Sequence, residues 1–496
     1  MLKRAFLFVV LFGIGLLTYY RGLHIPFYND DFQRAFTNPR EMVFQGFTSA
    51  NPHDGFYRPL EQTALAAIQI LWKWDSLPIR LLHLLFNSAL ALLVFHSLRK
   101  LEVHLVSAVI AALYVIMSQL GAFTILSNNT LSQVMGSFFS ALSLWLLYQY
   151  HELGRSEGDR GKYYLSIFFF ILALLSKETS TGLLPAIFFL ITTGQTTNAD
   201  GLRKLRRIFL EMLPYNLGLL FYGFLRMNAG GNLPVFGSSD MYGFRIGSNL
   251  LKHLWLFMGE AVLPVSTVTV IRAQYVHTYV VVLVSFIFAG ILFSIVAIGL
   301  WKSKRKRLIK GLFAMILFSW LPAIMLNHIS EIYIYNSLFY FAMLVGISCD
   351  HYRDLFSERP PAIITASLWL ILISAGTTNI IGIQEKASLM TNEGERASSL
   401  LPQIISITRN NQEDNWLYLV NPEHSEFTYS KYASRYFDVL FNADTIVRYY
   451  SGKPRSHYFI GDSSKCAESA RLHPGIAIGF DQQTMRTYPI TLSPDR

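Results

Sequence analysis

Charge is what this chain most lacks. Only 15% of its 496 residues are Asp, Glu, Lys or Arg, while 52% are hydrophobic; an ordinary soluble domain carries about 25% charge. A soluble enzyme of common type is excluded by that deficit. Cysteine is nearly absent too, with Cys349 and Cys466 alone, so a disulfide scaffold is excluded. There is no GxGxxG or Walker loop, which disfavours a donor carried on a nucleotide. No histidines stand at HxxxH or HExxH spacing, so no cofactor is read and a divalent metal is unsupported by the sequence. No tetratricopeptide-like repeat or heptad is visible.

Apolar blocks of membrane-spanning length separated by short polar stretches are what the chain does have, giving a mean hydropathy of +0.34. The net charge of +10 does not indicate nucleic acid. Its basic residues sit in short clusters between apolar blocks, where the positive-inside rule places cytoplasmic loops. Spans are expected near 4–20, 79–98, 105–124, 131–150, 163–176, 179–193, 210–227, 277–300, 311–326, 332–348 and 362–381. The first reads as a retained span, because no small-x-small cleavage site precedes Arg21. Segment 249–271, with Lys252, His253, Glu260 and Pro264 inside it, reads as re-entrant or interfacial, since only then do all the basic loops fall on one side.

The expected fold is therefore an all-α polytopic membrane protein of about eleven transmembrane helices, with a small C-terminal α/β or α+β domain on the outer face. Residues 1–383 form the membrane domain, including an outer loop at 21–78 with an amphipathic helix, and residues 384–496 the outer domain. Short β-like runs in the tail lie at Trp416 to Val420, Tyr458 to Ile460 and Ile476 to Ile478. The amino terminus is expected in the cytoplasm and the tail in the periplasm or lumen. The two cysteines then lie on opposite sides of the bilayer and form no disulfide.

The outer loop carries adjacent carboxylates, Asp30 and Asp31, about ten residues beyond the first span. Acids near low dielectric lose solvation, and a functional pair there would act as general base and substrate-positioning group. Asn29-Asp30-Asp31 is equally good helix N-cap chemistry. Tyr57-Arg58-Pro59-Leu60 opens an amphipathic stretch ending in Trp72 and Trp74, and Arg58 is either a bidentate phosphate clamp or an interfacial anchor. Arg80, His83 and Asn87 share one face of the second span, as substrate contacts or as an interhelical hydrogen-bond stripe. Lys177 and Glu178 occupy a short turn, where Lys177 suits a phosphate and Glu178 suits Lys177; a snorkelling turn would look the same. His328 and Glu331, with Tyr333 and Tyr335, complete the outer set, to contact sugar, to pair with Arg58, or as belt residues.

The order of these motifs resembles the GT-C superfamily, most closely the branch related to the protein O-mannosyltransferases, including transmembrane O-mannosyltransferases bearing tetratricopeptide repeats. The residues that carry the resemblance are Asn29-Asp30-Asp31 with Thr37-Asn38-Pro39, Tyr57-Arg58-Pro59-Leu60, the Arg80, His83, Asn87 stripe, Ser176-Lys177-Glu178-Thr179, and Ser330-Glu331-Ile332-Tyr333-Ile334-Tyr335. They span roughly residues 1–350. The resemblance implies inverting transfer of a sugar from a polyprenyl-phosphate carrier to an acceptor at the outer membrane face. It implies Asp30 as catalytic base with Asp31 beside it, and Arg58 and Lys177 on the lipid phosphate. Tyr57, Arg80, His83, Glu178, His328 and Glu331 are the remaining expected substrate-binding residues. The partners implied are the lipid-linked sugar, an unnamed acceptor and the bilayer, with a bacterial inner membrane preferred to an ER-type one.

Three departures stand out. Residues 118–130 lack the charged residues usual after the family's third span, Ile332 stands where a basic residue is usual, and the second-span stripe differs in composition. Two alternatives share the outer-face chemistry: a flippase or transporter for lipid-linked oligosaccharide, and an O-antigen-type polymerase or ligase. A transporter would more naturally show inverted repeats and midplane charges.

Overall fold

The apolar blocks fold as helices in the computed structural model, which describes all residues except 1, 35–37, 52–54, 74, 154–159, 195–200, 233–241, 263–278, 358–361, 411–415, 422–435, 453–457, 474, 482–485 and 491–496. Seven helices among the described residues are long and apolar enough to cross a membrane: 77–100, 105–126, 131–151, 202–228, 283–302, 306–324 and 331–353. A shorter apolar helix covers 4–18. Expected spans 163–176 and 179–193 appear as α-helices Arg160–Ser176 and Leu183–Gly194. Pro264 and the rest of 263–271 lie outside the described residues. The preceding part of that segment is the helix Ser248–Val262, about 22 Å long and so shorter than a hydrocarbon core of about 30 Å. Its Phe257 ring packs 5.6 Å from that of Trp320. The chain is an integral multi-pass membrane protein.

The bundle has two chemically distinct ends. One gathers the basic loops: Lys100 Nζ donates to Gln149 (3.3 Å), His104 N donates to Asp350 (2.8 Å), and Arg307 donates to the Thr193 carbonyl. The other end carries the outer loop, the turn at 177–182, residues 327–337 and the C-terminal sheet.

One long helix, here α1 (Ala362–Asn410, 49 residues), ties that second end together. It rises roughly 74 Å, of which a bilayer core uses about 30 Å. The boundary expected at 383/384 lies inside it, so α1 belongs to both parts. Beyond the bundle it lies against the first loop so closely that a Cβ on Gly394 would stand 2.7 Å from Pro26. It then supports the sheet, where Gln403 Oε1 accepts from Thr487 N at 3.0 Å.

The sheet has four strands, β1 (Trp416–Val420), β2 (Tyr458–Gly461), β3 (Gly475–Asp481) and β4 (Arg486–Ile490), in the order β2-β1-β3-β4. β1 pairs parallel with β2 and β3, while β3 and β4 are antiparallel. Helices Asp444–Ser451 and Ser463–Leu472 occupy the crossovers, as parallel pairing requires. The three β-like runs expected from the sequence are β1, β2 and β3. The fourth strand was not foreseen because it holds Pro489 and alternates poorly; it is tolerated as an edge strand. Cys349 and Cys466 are both free.

Candidate functional site

The adjacent acids of the first loop diverge. Asn29 sits in the left-handed region (φ 49°), which Asn tolerates better than most side chains, and the following 3₁₀ turn Asn29–Arg34 sends the two carboxylates to different surroundings. Asp31 is 3% exposed. Its Oδ2 accepts from Asn128 Nδ2 (3.0 Å) and from Tyr28 N (3.3 Å). Burial pushes its carboxyl up to about 7, against the opposing pull of those two hydrogen bonds and of Arg80. Asp30 is half-buried and accepts from Gln33 Nε2 (3.4 Å) and from Asn442 Nδ2 of the sheet domain (2.9 Å).

Arg80 builds the floor beneath them. It is fully buried, donating to the carbonyls of Gly22 (2.9 Å) and Ile125 and to Asn128 Oδ1 (3.0 Å). Its guanidinium thus fastens the first loop to residues 125–128, the uncharged segment 118–130 noted above. His83 Nδ1 lies 2.8 Å from the Ile79 carbonyl and its Nε2 faces Thr130 Oγ1 at 3.5 Å. Asn87 accepts from Tyr335 OH at 2.9 Å. The whole stripe is therefore bonded within the bundle.

A second cluster centres on Arg58. Its position is set by the turn before it, where Gly55 (φ 67°) packs against Asn232 and Ala50 N donates to the Ala229 carbonyl at 2.8 Å. Arg58 is 3% exposed and grips Glu178 bidentately, Nε to Oε2 at 2.8 Å and Nη2 to Oε1 at 2.6 Å. Its Nη1 is 3.8 Å from Glu61, and its Cζ stands 4.0 Å over the Phe56 ring. Lys177 Nζ is 3.6 Å from the same Glu178. Burial alone would raise the Glu178 carboxyl, but Arg58 and then Lys177 hold it well below the usual carboxylate range. Arg226, from the end of helix Gly201–Asn228, adds to that field. Among the described residues, the cations Arg58, Lys177 and Arg226 gather around Glu178 and Glu61 in a setting of low dielectric. Tyr57 donates to the Phe47 carbonyl at 2.9 Å, bracing the loop.

Aromatic edges extend from this cluster. Phe56 meets Tyr242 at 4.8 Å, Tyr242 meets His328 at 4.9 Å, and His328 meets Tyr333 at 5.9 Å between ring centroids. Beside them Glu331 pairs with Lys386 of α1 at 2.6 Å. Glu331 is thus paired with Lys386, and Arg58 with Glu178. Behind the 177–182 turn, a small cleft with a cavity volume of about 20 Å³ is lined by Ser140, Thr179, Ser180, Ser319, Asn336 and Tyr340 among apolar side chains. Asn51 joins the two clusters, its Nδ2 donating to the Gln33 carbonyl (3.2 Å) and its backbone N to the Phe56 carbonyl (3.0 Å).

Sequence reasoning missed four residues here: Asn128, Arg226, Lys386 and Asn442. Lys386 lies on a helix far along the chain from its partner Glu331. Arg226 looked like an ordinary basic residue at a helix end, and Asn128 and Asn442 carry no charge. Thr37 lies outside the described residues. No group of three or more His, Cys, Asp and Glu that could hold a metal occurs among the described residues.

Residues 61–215 match the family model described as dolichyl-phosphate-mannose-protein mannosyltransferase, a segment that includes Glu61, Arg80, His83, Lys177 and Glu178. No curated protein matches the chain. Among solved structures it is similar to ArnT from Cupriavidus metallidurans bound to undecaprenyl phosphate, with a TM-score of 0.52 and 14% identity over 96% of this chain and 93% of that one. The apo state of the same protein aligns with a TM-score of 0.52 and 13% identity over the same shares. The archaeal oligosaccharyltransferase AglB from Archaeoglobus fulgidus, in complex with an inhibitory peptide and a dolichol-phosphate, aligns with a TM-score of 0.51 and 13% identity over 96% of this chain and 69% of that one. At these identities the likeness is one of architecture: the chain has the GT-C fold, a helical membrane bundle with a small mixed domain seated on one end.

Proposed function

We propose that this chain is an inverting glycosyltransferase that moves a sugar from a polyprenyl-phosphate carrier to an acceptor hydroxyl at the outer membrane face. One observation carries the reading. Two adjacent acids differ in their surroundings, Asp31 enclosed and Asp30 half-buried, at the bundle end that also holds Arg58, Lys177 and Arg226.

Asp30 is the base. It takes the acceptor's proton as the acceptor oxygen attacks the anomeric carbon. The bond from that carbon to the phosphate oxygen breaks on the opposite face, and its electron pair leaves with the lipid phosphate. Asp31, with its carboxyl lifted to about 7, holds a proton for part of the time near neutrality, so the pair need not carry two charges and Asp30 keeps the ionised role. Lys177 stabilises the departing phosphate, with Arg226 adding positive field. Arg58 serves chiefly by fixing Glu178, and so the turn that presents Lys177. The chain of rings from Phe56 to Tyr333 offers the sugar apolar edges, with His328 among them.

The positive-inside rule puts the basic end in the cytoplasm, hence the first loop and sheet outside, in a bacterial envelope facing the periplasm. Nucleotides are scarce there, which favours a lipid-carried donor.

The test uses the full-length protein in liposomes with polyprenyl-phosphate [14C]mannose and a membrane acceptor extract. Asp30→Asn should lower transfer at least 10³-fold, a loss of roughly 4 kcal/mol in transition-state stabilisation, and leave binding of the donor unchanged. Wild-type turnover in the variant would sink the base assignment.

A further inference from the structure

The sheet domain reaches the acid loop through the side chain of Asn442. Asn442 Nδ2 donates to Asp30 Oδ1 at 2.9 Å across 412 residues of sequence. Asn442 is itself in the left-handed region, φ 65°, a conformation that Asn, Asp and Gly adopt more readily than other residues.

The structure behind it is built to hold that contact. At the carboxyl end of β1, Asn421 is 3% exposed. Its Oδ1 accepts from Phe437 N (2.8 Å) and its Nδ2 donates to Asp438 Oδ1 (2.8 Å), while its own backbone N donates to the Gly461 carbonyl at the end of β2 (2.8 Å). Asn421 therefore clamps the turn Tyr436–Leu440 to the ends of two parallel strands. Phe437, Val439 and Leu440 are buried, and Ala443 N donates to the Leu440 carbonyl at 3.0 Å, which closes the chain around Asn442. The carboxyl ends of parallel strands are where α/β sheets present functional loops. Here that loop is aimed at Asp30.

We infer that Asn442 is a positioning residue for Asp30, so that the outer domain completes the catalytic site instead of only resting on it. This rests on the reading of Asp30 as base. The amide fixes Oδ1 of Asp30 and with it the orientation of the carboxylate. Because the amide donates to the carboxylate, it favours the ionised form. Asn421, one step removed, holds the turn that carries the amide.

The experiment exploits the backbone. Asn442→Gly and Asn442→Asp both keep a residue that accepts positive φ, so each removes the amide and spares the turn. In the same liposome assay, Asn442→Gly should lower kcat about tenfold with the KM for donor unchanged, and move the acid limb of the rate profile to higher pH. Asn442→Asp, which sets a second carboxylate against Asp30, should lower kcat further and move the limb further in the same direction. If both variants keep wild-type kcat and an unmoved acid limb while Asp30→Asn is inactive, the inference is overturned and the reading of Asp30 stands. If Asp30→Asn turns over normally, the base assignment fails and takes this inference with it. If Asn442→Gly loses activity but the acid limb stays in place and Asn442→Asp keeps the wild-type rate, the amide does not orient Asp30, and the inference is again overturned.

Discussion

At the scale of the residue, the site is decided by which polar groups the protein already satisfies. In the sequence Arg58 reads as a phosphate clamp or interfacial anchor, and Arg80 as a substrate contact or part of an interhelical hydrogen-bond stripe. The structure commits Arg80 to two backbone carbonyls and an amide, and Arg58 to a bidentate carboxylate. Lys177 makes a looser contact, 3.6 Å from Glu178. Asp31 carries a testable signature of its burial. Its carboxyl sits at about 7 in the folded chain and near 3.9 in an unfolded one. Between those values the folded state keeps a proton that the unfolded state releases, so the residue's contribution to stability falls as pH rises from about 4 to about 7. Asp31→Asn can accept the same two hydrogen bonds without that penalty. Its melting temperature in detergent should exceed the wild type's at pH 8, by an amount corresponding to at most about 4 kcal/mol, with the gap shrinking toward pH 4. A gap independent of pH would show that Asp31 is ionised in the fold.

At the scale of the element, the second-span stripe and the motif turns were legible because polar residues at helical spacing on an apolar span are conspicuous. What the sequence hid is who partners whom. Glu331 and Lys386 are separated by 55 residues and meet at 2.6 Å, because α1 runs past the turn Glu331–Ser337. Lys386 is 1% exposed, and Glu260 lies within electrostatic reach of both. Removing the cation alone leaves carboxylates facing one another, so Lys386→Met should destabilise by about 3 kcal/mol. Adding Glu331→Gln should return part of that loss, as a coupling energy in a double-mutant cycle of thermal unfolding. Additive losses would mean that the pair contributes nothing.

At the scale of the molecule, the loop charges were sufficient to sort the two ends before any coordinates, and the contacts among residues 100, 149, 193 and 307 assemble those basic loops at one end. Less legible was the seating of the sheet. Three of its four strands were readable from β-branched and aromatic runs, but neither composition nor periodicity reveals that Asn442 meets Asp30. The orientation itself is open to a direct check. A protease site placed in the Lys302 to Lys310 loop of whole spheroplasts should resist external protease, while one placed after Arg496 should be cut. The reverse pattern would invert the membrane and remove the acid pair from the outer face.

The long helix that joins bundle and sheet is gripped twice beyond the membrane, by Pro26 against Gly394 and by Thr487 on Gln403. Between those grips it works as a ruler and a dial together, since each residue of an α-helix adds 1.5 Å of rise and about 100° of rotation. One alanine inserted after Ser398 would swing the sheet roughly a quarter turn about the helix axis while lifting it by less than two ångströms. Transfer should fall to the level of the Asn442 variants or below, with the bundle's melting temperature unchanged. The number of residues in that short interval thus itself sets how the sheet meets the first loop.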